Sequence, residues 1–244
     1  MHRFRGSGVA RIAFVVGLAV TLGSCGSGDD RVVVFAASSL TDVFERLETE
    51  FEAANPDVDV VVNAAGSSSL VAQLTDGAPA DILVTADVDT MARAIASTPI
   101  AGDPDVLARN GLVIAVERGN PLAIESLDDL TDAVVVLAAP EVPAGAYARA
   151  VLECAGVEVE PASLEQSVRS VASKVALGEA DAGLVYRTDV SDALEAVEVP
   201  AACQISAEYP IVLVADTPAA RRFLSFVTGS DGARALADAG FELP

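Results

Sequence analysis

Two segments of the sequence place consecutive serines where a predicted strand gives way to a predicted helix. They read Ala37-Ser38-Ser39 and Gly66-Ser67-Ser68-Ser69. The first turn of a helix has backbone N–H groups without partners and the positive end of the helix dipole, and serine adds a hydroxyl that can donate. Neutral donors of this kind suit an anion. Serine is also a favoured N-cap, so a purely structural role for both segments stays open.

Three further positions can offer a donor to the same kind of ligand. Pro143-Ala144-Gly145 opens a predicted helix, in which Ala144 has a backbone N–H and little bulk. Val168 lies near the start of another predicted helix, so its N–H is also a candidate donor. Tyr186 ends a predicted strand, from which its hydroxyl can reach a cleft. Taken alone, each is better explained as an ordinary helix start or a core residue.

The composition excludes several classes of function. The formal net charge is −21, with 36 acidic residues against 15 lysines and arginines, which argues against nucleic acid or an anionic membrane surface as a partner. The single histidine is His2, so a chain that loses its N-terminus has no Ser–His or Cys–His pair and no histidine to bind a metal. We therefore expect neither an enzyme nor a cofactor. A hydrolase that used Ser39 or Ser67 would lack a base.

The N-terminus has the features of a secretory signal. Met1–Arg11 is basic, and Ile12–Leu22 is an apolar run too short to span a bilayer. Leu22-Gly23-Ser24-Cys25 follows and resembles a bacterial lipobox, which predicts a signal peptide over residues 1–24, a lipidated Cys25 and a polar tether over residues 25–31. Removing residues 1–24 would change the net charge to −24. A plain signal peptide with a chance cysteine is the alternative.

The two other cysteines, Cys154 and Cys203, would lie outside the cytoplasm in such a chain. Cysteine pairs tend to oxidise there, so we expect a disulfide between them. Two buried free thiols are the alternative.

Strands and helices alternate along the chain, which predicts an α/β fold with a mostly parallel sheet. Apolar runs predict strands at 32–36, 58–62, 82–85, 112–116, 134–138, 182–186, 194–199 and 211–215. Amphipathic spacing predicts helices at 40–54, 70–76, 88–96, 127–130, 143–154, 163–177, 217–228 and 232–239. About seven strand–helix units slightly exceed one compact sheet, so two lobes are expected, with boundaries near predicted turns at 109–111 and 208–210.

The motifs, taken together and in order, resemble one family. The segments that match are Val34-Phe35-Ala36-Ala37-Ser38-Ser39-Leu40, Ser67-Ser68-Ser69-Leu70, Gly77-Ala78-Pro79-Ala80-Asp81-Ile82, Ala86-Asp87, Val142-Pro143-Ala144-Gly145-Ala146-Tyr147-Ala148, Gly183-Leu184-Val185-Tyr186 and Tyr209-Pro210-Ile211. These segments, in this order, are similar to those of the substrate-binding proteins of molybdate ABC transporters.

The resemblance implies a type II periplasmic-binding fold with a ligand cleft between two α/β lobes. Lobe I would comprise residues 32–109 and 210–244, and lobe II residues 110–209. The ligand would be molybdate, and tungstate with it, delivered to an ABC permease by a monomer that Cys25 anchors outside the cytoplasm. The family's ligand positions fall on Ser39, Ser67, Ala144, Val168 and Tyr186, with Ser38 and Ser68 as further donors.

Alternative functions remain open at this point. Binding proteins for sulfate or phosphate share the architecture. A polyamine binder would suit the acidic charge but needs aromatic clamps, and the chain has no tryptophan. A structural lipoprotein without a ligand is a further alternative.

Overall fold

The structure, a computed structural model, describes His2 and residues 30–244. Within these residues the chain forms nine strands: β1 (Asp30–Ala37), β2 (Val58–Ala65), β3 (Ile82–Val84), β4 (Asp105–Glu117), β5 (Val135–Ala138), β6 (Ser163–Glu165), β7 (Ala182–Tyr186), β8 (Leu194–Glu198) and β9 (Ser206–Leu213). The same residues form seven α-helices: α1 (Thr41–Ala54), α2 (Ser67–Thr75), α3 (Val88–Ser97), α4 (Pro143–Ala155), α5 (Val168–Ala176), α6 (Pro218–Val227) and α7 (Ser230–Asp238). Short 3-10 helices lie at Ser38–Leu40, Asp128–Asp132 and Arg187–Asp189.

The sheet has two parallel halves joined by long antiparallel strands. In one half β1 pairs in parallel with β2 and β3, and in the other β5 pairs in parallel with β6 and β7. Strands β4 and β9 run between the halves and pair antiparallel with each other. The prediction of an α/β fold is confirmed, and the parallel pairings lie where strands alternate with helices.

The two predicted boundary turns are wrong as local structure. Arg109 pairs with Glu208 and Ala108 with Tyr209 in the middle of β4 and β9. Polar side chains and Pro210 made these segments look like turns, but their backbone groups are satisfied by the partner strand. Pro210 is tolerated because the register shifts between Val106 and Ala108, opposite it. The lobe ranges themselves stay a prediction.

A second correction concerns the segment from Ser163 to Leu177, which the sequence pattern predicts as one helix. Residues Ser163–Glu165 instead form β6 at the edge of the sheet, paired with β5. Helix α5 begins only at Val168, because Ser167 caps it: the Ser170 N–H donates to the Ser167 hydroxyl oxygen at 3.1 Å. The delayed start places Val168 in the first turn.

The predicted amphipathic face of α1 is confirmed. Val43, Phe44, Leu47 and Phe51 are all buried. Phe51 packs edge to face against Phe223 of α6, with ring centroids 5.1 Å apart. This packing holds the C-terminal helices on the first half of the sheet, and the N-terminal end of α1 is left at the carboxyl end of β1.

Cys154 and Cys203 form a disulfide, with the sulfur atoms 2.04 Å apart. It links the end of α4 to the loop before β9. In the part of the chain that the structure covers, every helix falls short of the length or apolarity that crossing a membrane requires.

The predicted signal peptide (residues 1–24) and Cys25 lie outside the described residues. Most of the predicted tether does too, but its last two residues, Asp30 and Arg31, belong to β1 and pair with β2. The strand thus begins two residues earlier than its apolar run.

Candidate functional site

The first serine segment forms a tight turn between β1 and α1. Ser38 and Ser39 lie in the 3-10 helix, and both are buried. Neither caps the helix: the residue at the N-cap position is Ala37, and no side chain hydrogen-bonds there. The Ser39 Oγ atom lies 3.0 Å from the Tyr209 Oη atom of β9, deep in the molecule. The N-cap interpretation of Ser39 is therefore wrong.

The second serine segment begins α2 directly. Ser67 is its first residue, and Gly66 holds the N-cap position without a side-chain hydrogen bond. The Ala86 N–H donates to the Ser67 Oγ atom at 3.1 Å. Because Oγ is occupied as an acceptor, the Ser67 hydroxyl hydrogen remains to be donated elsewhere.

Two helices from the other half of the sheet point their N-terminal ends at the same place. Ala144 lies in the first turn of α4, and Val168 is the first residue of α5. Gly145 allows the close approach of α4, because a Cβ atom there would lie 2.1 Å from the carbonyl oxygen of Ala139. First-turn N–H groups have no acceptor inside their own helix.

Tyr186 closes the site from the end of β7. Its side chain is 1% exposed, and among the described residues its hydroxyl has no hydrogen-bond partner. Its ring packs edge to face on Tyr209 at 5.7 Å. Burial raises the pKa of Tyr186 well above its usual value, so the hydroxyl keeps its proton. A buried hydroxyl without a partner is costly, which marks it as a donor for a ligand.

These groups line one small cavity of about 10 Å³. Its walls are Ala37, Ser38, Ser39, Gly66, Ser67, Ala86, Val142, Pro143, Ala144, Val168 and Tyr186. All five positions that the family resemblance indicates are among them, together with Ser38. Pockets for organic ligands measure roughly 300–1,000 Å³, so this cavity suits only a compact group of a few atoms.

Ser68 does not share the cavity. Its side chain donates to the backbone carbonyl oxygen of Glu141, just before α4. Gly66 makes a similar contact between the halves, since a Cβ atom there would lie 2.1 Å from the carbonyl oxygen of Gln166. Ser68 is thus one of the contacts that hold the two sides of the cleft together.

The cavity is polar without being charged. Of the described residues that line it, none has an ionisable acid or base apart from the Tyr186 phenol. Four helix starts point at it, and each dipole is equivalent to roughly half a positive charge. Together they approach the charge needed to balance a dianion. In the part of the chain that the structure covers, acidic, histidine and cysteine side chains form no cluster that could hold a metal ion.

Charged residues lie just outside the cavity. Arg169, next to Val168, lines an outer groove of about 610 Å³ that shares Ser38 and Gly66 with the cavity. Its guanidinium reaches Asp42 at 3.2 Å, on the opposite side of the cleft. The nearest oxygen of buried Asp189 is 3.6 Å from the Arg169 Nε atom, beyond hydrogen-bond distance.

Asp189 is unusual because it is buried and, apart from the ion pair with Arg169, neither of its carboxylate oxygens has a hydrogen-bond partner among the described residues. Burial raises its pKa to about 7; Arg169 opposes this shift and Asp42 adds to it. Sequence reasoning missed Arg169, Asp42 and Asp189. The one available signal was the cationic Arg169 in the first turn of α5. No feature of the sequence indicated that Asp189 is buried.

Comparisons with known proteins agree with this geometry. The family model for bacterial extracellular solute-binding proteins matches residues 32–242. The molybdate-binding protein ModA of Mycobacterium tuberculosis is 40% identical over 225 residues, which cover 89% of this chain and 86% of that protein.

Solved structures share the fold. The periplasmic molybdate-binding protein of Azotobacter vinelandii superposes with a TM-score of 0.73 at 21% identity, over 87% of this chain and 99% of that one. The sulfate-binding protein SubI of Mycobacterium tuberculosis does so with a TM-score of 0.75 at 18% identity, over 88% and 87%. The chain belongs to the family of bacterial extracellular solute-binding proteins, alongside the ModA proteins.

Proposed function

We propose that this chain binds molybdate, and tungstate with it, and delivers it to an ABC permease. The observation that carries the proposal is the convergence of four helix starts and the buried Tyr186 hydroxyl on a small cavity lined by uncharged groups. The 40% identity to a protein named for molybdate binding supports the choice of ligand.

The proposed ligand contacts follow from the cavity walls. Ser39 and Ser67 would donate through their hydroxyls and backbone N–H groups, Ala144 and Val168 through backbone N–H groups, and Tyr186 through its hydroxyl. Ser38 would supply one further donor. Ser68 is not proposed, because its hydroxyl is directed at Glu141.

The number of donors is sufficient for tight binding. A hydrogen bond to a charged group contributes about 1.5–3 kcal/mol, so six or seven supply roughly 10–20 kcal/mol before ordering and desolvation costs. A Kd below about 1 µM is expected. Because the chain's net charge repels anions, all of this attraction must act at short range.

Selectivity would come from size and from the lack of acceptors. Donors spaced for the longer metal–oxygen bonds of molybdate would hold sulfate loosely. Phosphate retains an O–H at neutral pH, and none of the described lining residues offers a carboxylate to accept that hydrogen; a hydroxyl that accepted it would no longer be oriented to donate to the ligand. We therefore expect molybdate and tungstate to bind far more tightly than either.

Isothermal titration calorimetry of the full chain with molybdate, tungstate, sulfate and phosphate tests the proposal. Ser39→Ala and Ser67→Ala should each weaken molybdate binding by about 1–3 kcal/mol. Ser225→Ala, on the exposed side of α6, is the matched control and should bind normally. If sulfate or phosphate binds more tightly than molybdate, the proposed ligand is wrong, but the chain is still an oxyanion-binding protein. No binding of any oxyanion would refute the proposal.

The route to the membrane completes the proposal. Residues 1–24 would be removed and Cys25 lipidated, which leaves a monomeric binding protein at the outer face of the membrane. Two acyl chains suffice for stable anchoring. Cys25→Ala should release the protein from the membrane fraction, whereas a plain signal peptide predicts no change.

The chain would act without catalysis and without a cofactor. The family consists of solute-binding proteins, and among the residues that the structure describes neither Ser39 nor Ser67 has a base as hydrogen-bond partner. Labelling of either serine by a fluorophosphonate probe would contradict this part of the proposal.

A further inference from the structure

Tyr209 is outside the cavity but contacts one of its walls. Its side chain is fully buried in β9, one of the two strands that join the halves of the sheet. The Tyr209 Oη and Ser39 Oγ atoms are 3.0 Å apart, and by distance alone either hydroxyl could be the donor. The direction of this one hydrogen bond decides what Ser39 presents to a ligand.

A serine hydroxyl has one hydrogen to donate. If Ser39 donates to Tyr209, it turns oxygen lone pairs toward the cavity, and these repel an oxyanion. If Tyr209 donates to Ser39, the Ser39 hydrogen is free to point at the ligand. A site made only of donors requires the second arrangement.

Ser67 shows that arrangement without ambiguity. Its Oγ atom accepts from the Ala86 backbone N–H at 3.1 Å, a group that can only donate. The Ala86 N–H therefore takes up one lone pair of the Ser67 oxygen, and the Ser67 hydrogen remains available to a ligand in the cavity. Tyr209 contacts the Ser39 oxygen in the same way as the Ala86 N–H contacts the Ser67 oxygen.

We propose that Tyr209 is a positioning residue that donates to Ser39, frees the Ser39 hydrogen for the ligand and so favours fully deprotonated oxyanions over those that retain an O–H. This rests on the proposed oxyanion-binding function. The Tyr186 ring, packed on Tyr209 at 5.7 Å, keeps the phenol in place. The selectivity of the cavity is in this way set from the strands that join the two halves.

A double-mutant cycle tests the proposal. Tyr209→Phe removes the hydroxyl and keeps the ring, and it should weaken molybdate binding about tenfold, the loss expected when one charged hydrogen bond is no longer oriented. In a Ser39→Ala background the same change should alter affinity less than twofold, because Tyr209 acts through Ser39. Tyr147→Phe is the matched control and should leave affinity unchanged.

Competition with inorganic phosphate provides a second readout. Tyr209→Phe lets the Ser39 hydroxyl rotate and accept, so the ratio of molybdate to phosphate affinity should fall about tenfold or more. A purely structural role would weaken both ligands equally. Urea unfolding without ligand checks that the variants fold.

Should Tyr209→Phe not fold, Ser39→Ala alone provides an independent test of the direction. If Tyr209 donates to Ser39, removing the Ser39 hydroxyl should weaken molybdate binding at least about tenfold. If Ser39 donates to Tyr209 instead, its lone pairs face the ligand, and its removal should leave the affinity unchanged or raise it, which would overturn the positioning role.

The outcomes separate the two proposals. If the wild-type chain binds no oxyanion, the proposed function fails and the role of Tyr209 fails with it. If molybdate binds but Tyr209→Phe has the same effect with and without Ser39, or leaves the phosphate ratio unchanged, the positioning role is overturned and the proposed function stands.

Discussion

Substitution of Tyr186 by phenylalanine should move ligand affinity and stability in opposite directions. The Tyr186 hydroxyl is buried, and among the described residues nothing hydrogen-bonds to it. Leaving a buried polar group without a partner costs about 1–3 kcal/mol. Removing it without changing the ring should therefore stabilise the unliganded protein by roughly 1 kcal/mol, the lower end of that range.

Molybdate binding should respond in the other direction. A hydrogen bond to a charged ligand contributes about 1.5–3 kcal/mol, and its loss corresponds to roughly a 12- to 150-fold increase in Kd. The edge-to-face contact between the rings of Tyr186 and Tyr209 does not involve the hydroxyl, so the cavity wall should keep its shape.

The assay combines urea unfolding without ligand and calorimetry with molybdate, on wild type, Tyr186→Phe and the control Tyr147→Phe. The expected pattern is higher stability and weaker binding in Tyr186→Phe alone. The reasoning is refuted if Tyr186→Phe loses stability without ligand and keeps wild-type affinity, since the hydroxyl would then serve the fold and not the ligand.

Three further predictions concern the surroundings of the site. Ser67→Ala should weaken molybdate binding by about 1–3 kcal/mol and also lower stability by about 1 kcal/mol, because the Ala86 N–H loses its acceptor; an unchanged urea midpoint would contradict the predicted loss of stability. Replacing Cys154 and Cys203 with serine should lower the unfolding free energy by up to about 4 kcal/mol yet leave affinity intact, since the disulfide lies about 15 Å along α4 from the cavity; impaired calorimetric affinity would show that the bridge shapes the site. Burial raises the pKa of Asp189 from 3.8 to about 7. The charged form of Asp189 therefore destabilises the fold, and this destabilisation is zero below about pH 4, grows as the pH rises and is complete above about pH 7. Asp189→Asn should become increasingly more stable than wild type as the pH rises through that window, by up to about 4 kcal/mol in urea unfolding, and a difference independent of pH would refute the assigned burial cost.

Much of the fold can be predicted from local sequence patterns. The valine-rich run of β1, the helical spacing of Leu40, Val43, Phe44 and Leu47, and the proline at the start of α4 each depend on residues close in sequence. The same patterns place Ala144 at a helix start and Tyr186 at the end of β7, whereas Val168 is the first residue of its helix only because Ser163–Glu165 form β6. Where local signals conflicted, as at Ser163 and Pro210, the prediction was wrong because pairing with a distant strand overrode the local preference.

By itself, the sequence determined that Ser67 and Ala144 lie near helix starts and Tyr186 at the end of a strand, and so which of these donors exist. Their convergence was decided by the tertiary structure, since Ser39 and Tyr209 are 170 positions apart yet share a hydrogen bond. The burial of Asp189 and the antiparallel pairing of β4 with β9 are decided in the same way. The physical reason is that hydrogen-bond direction, desolvation and strand pairing depend on which groups meet after the chain has folded, and local sequence spacing does not contain that information.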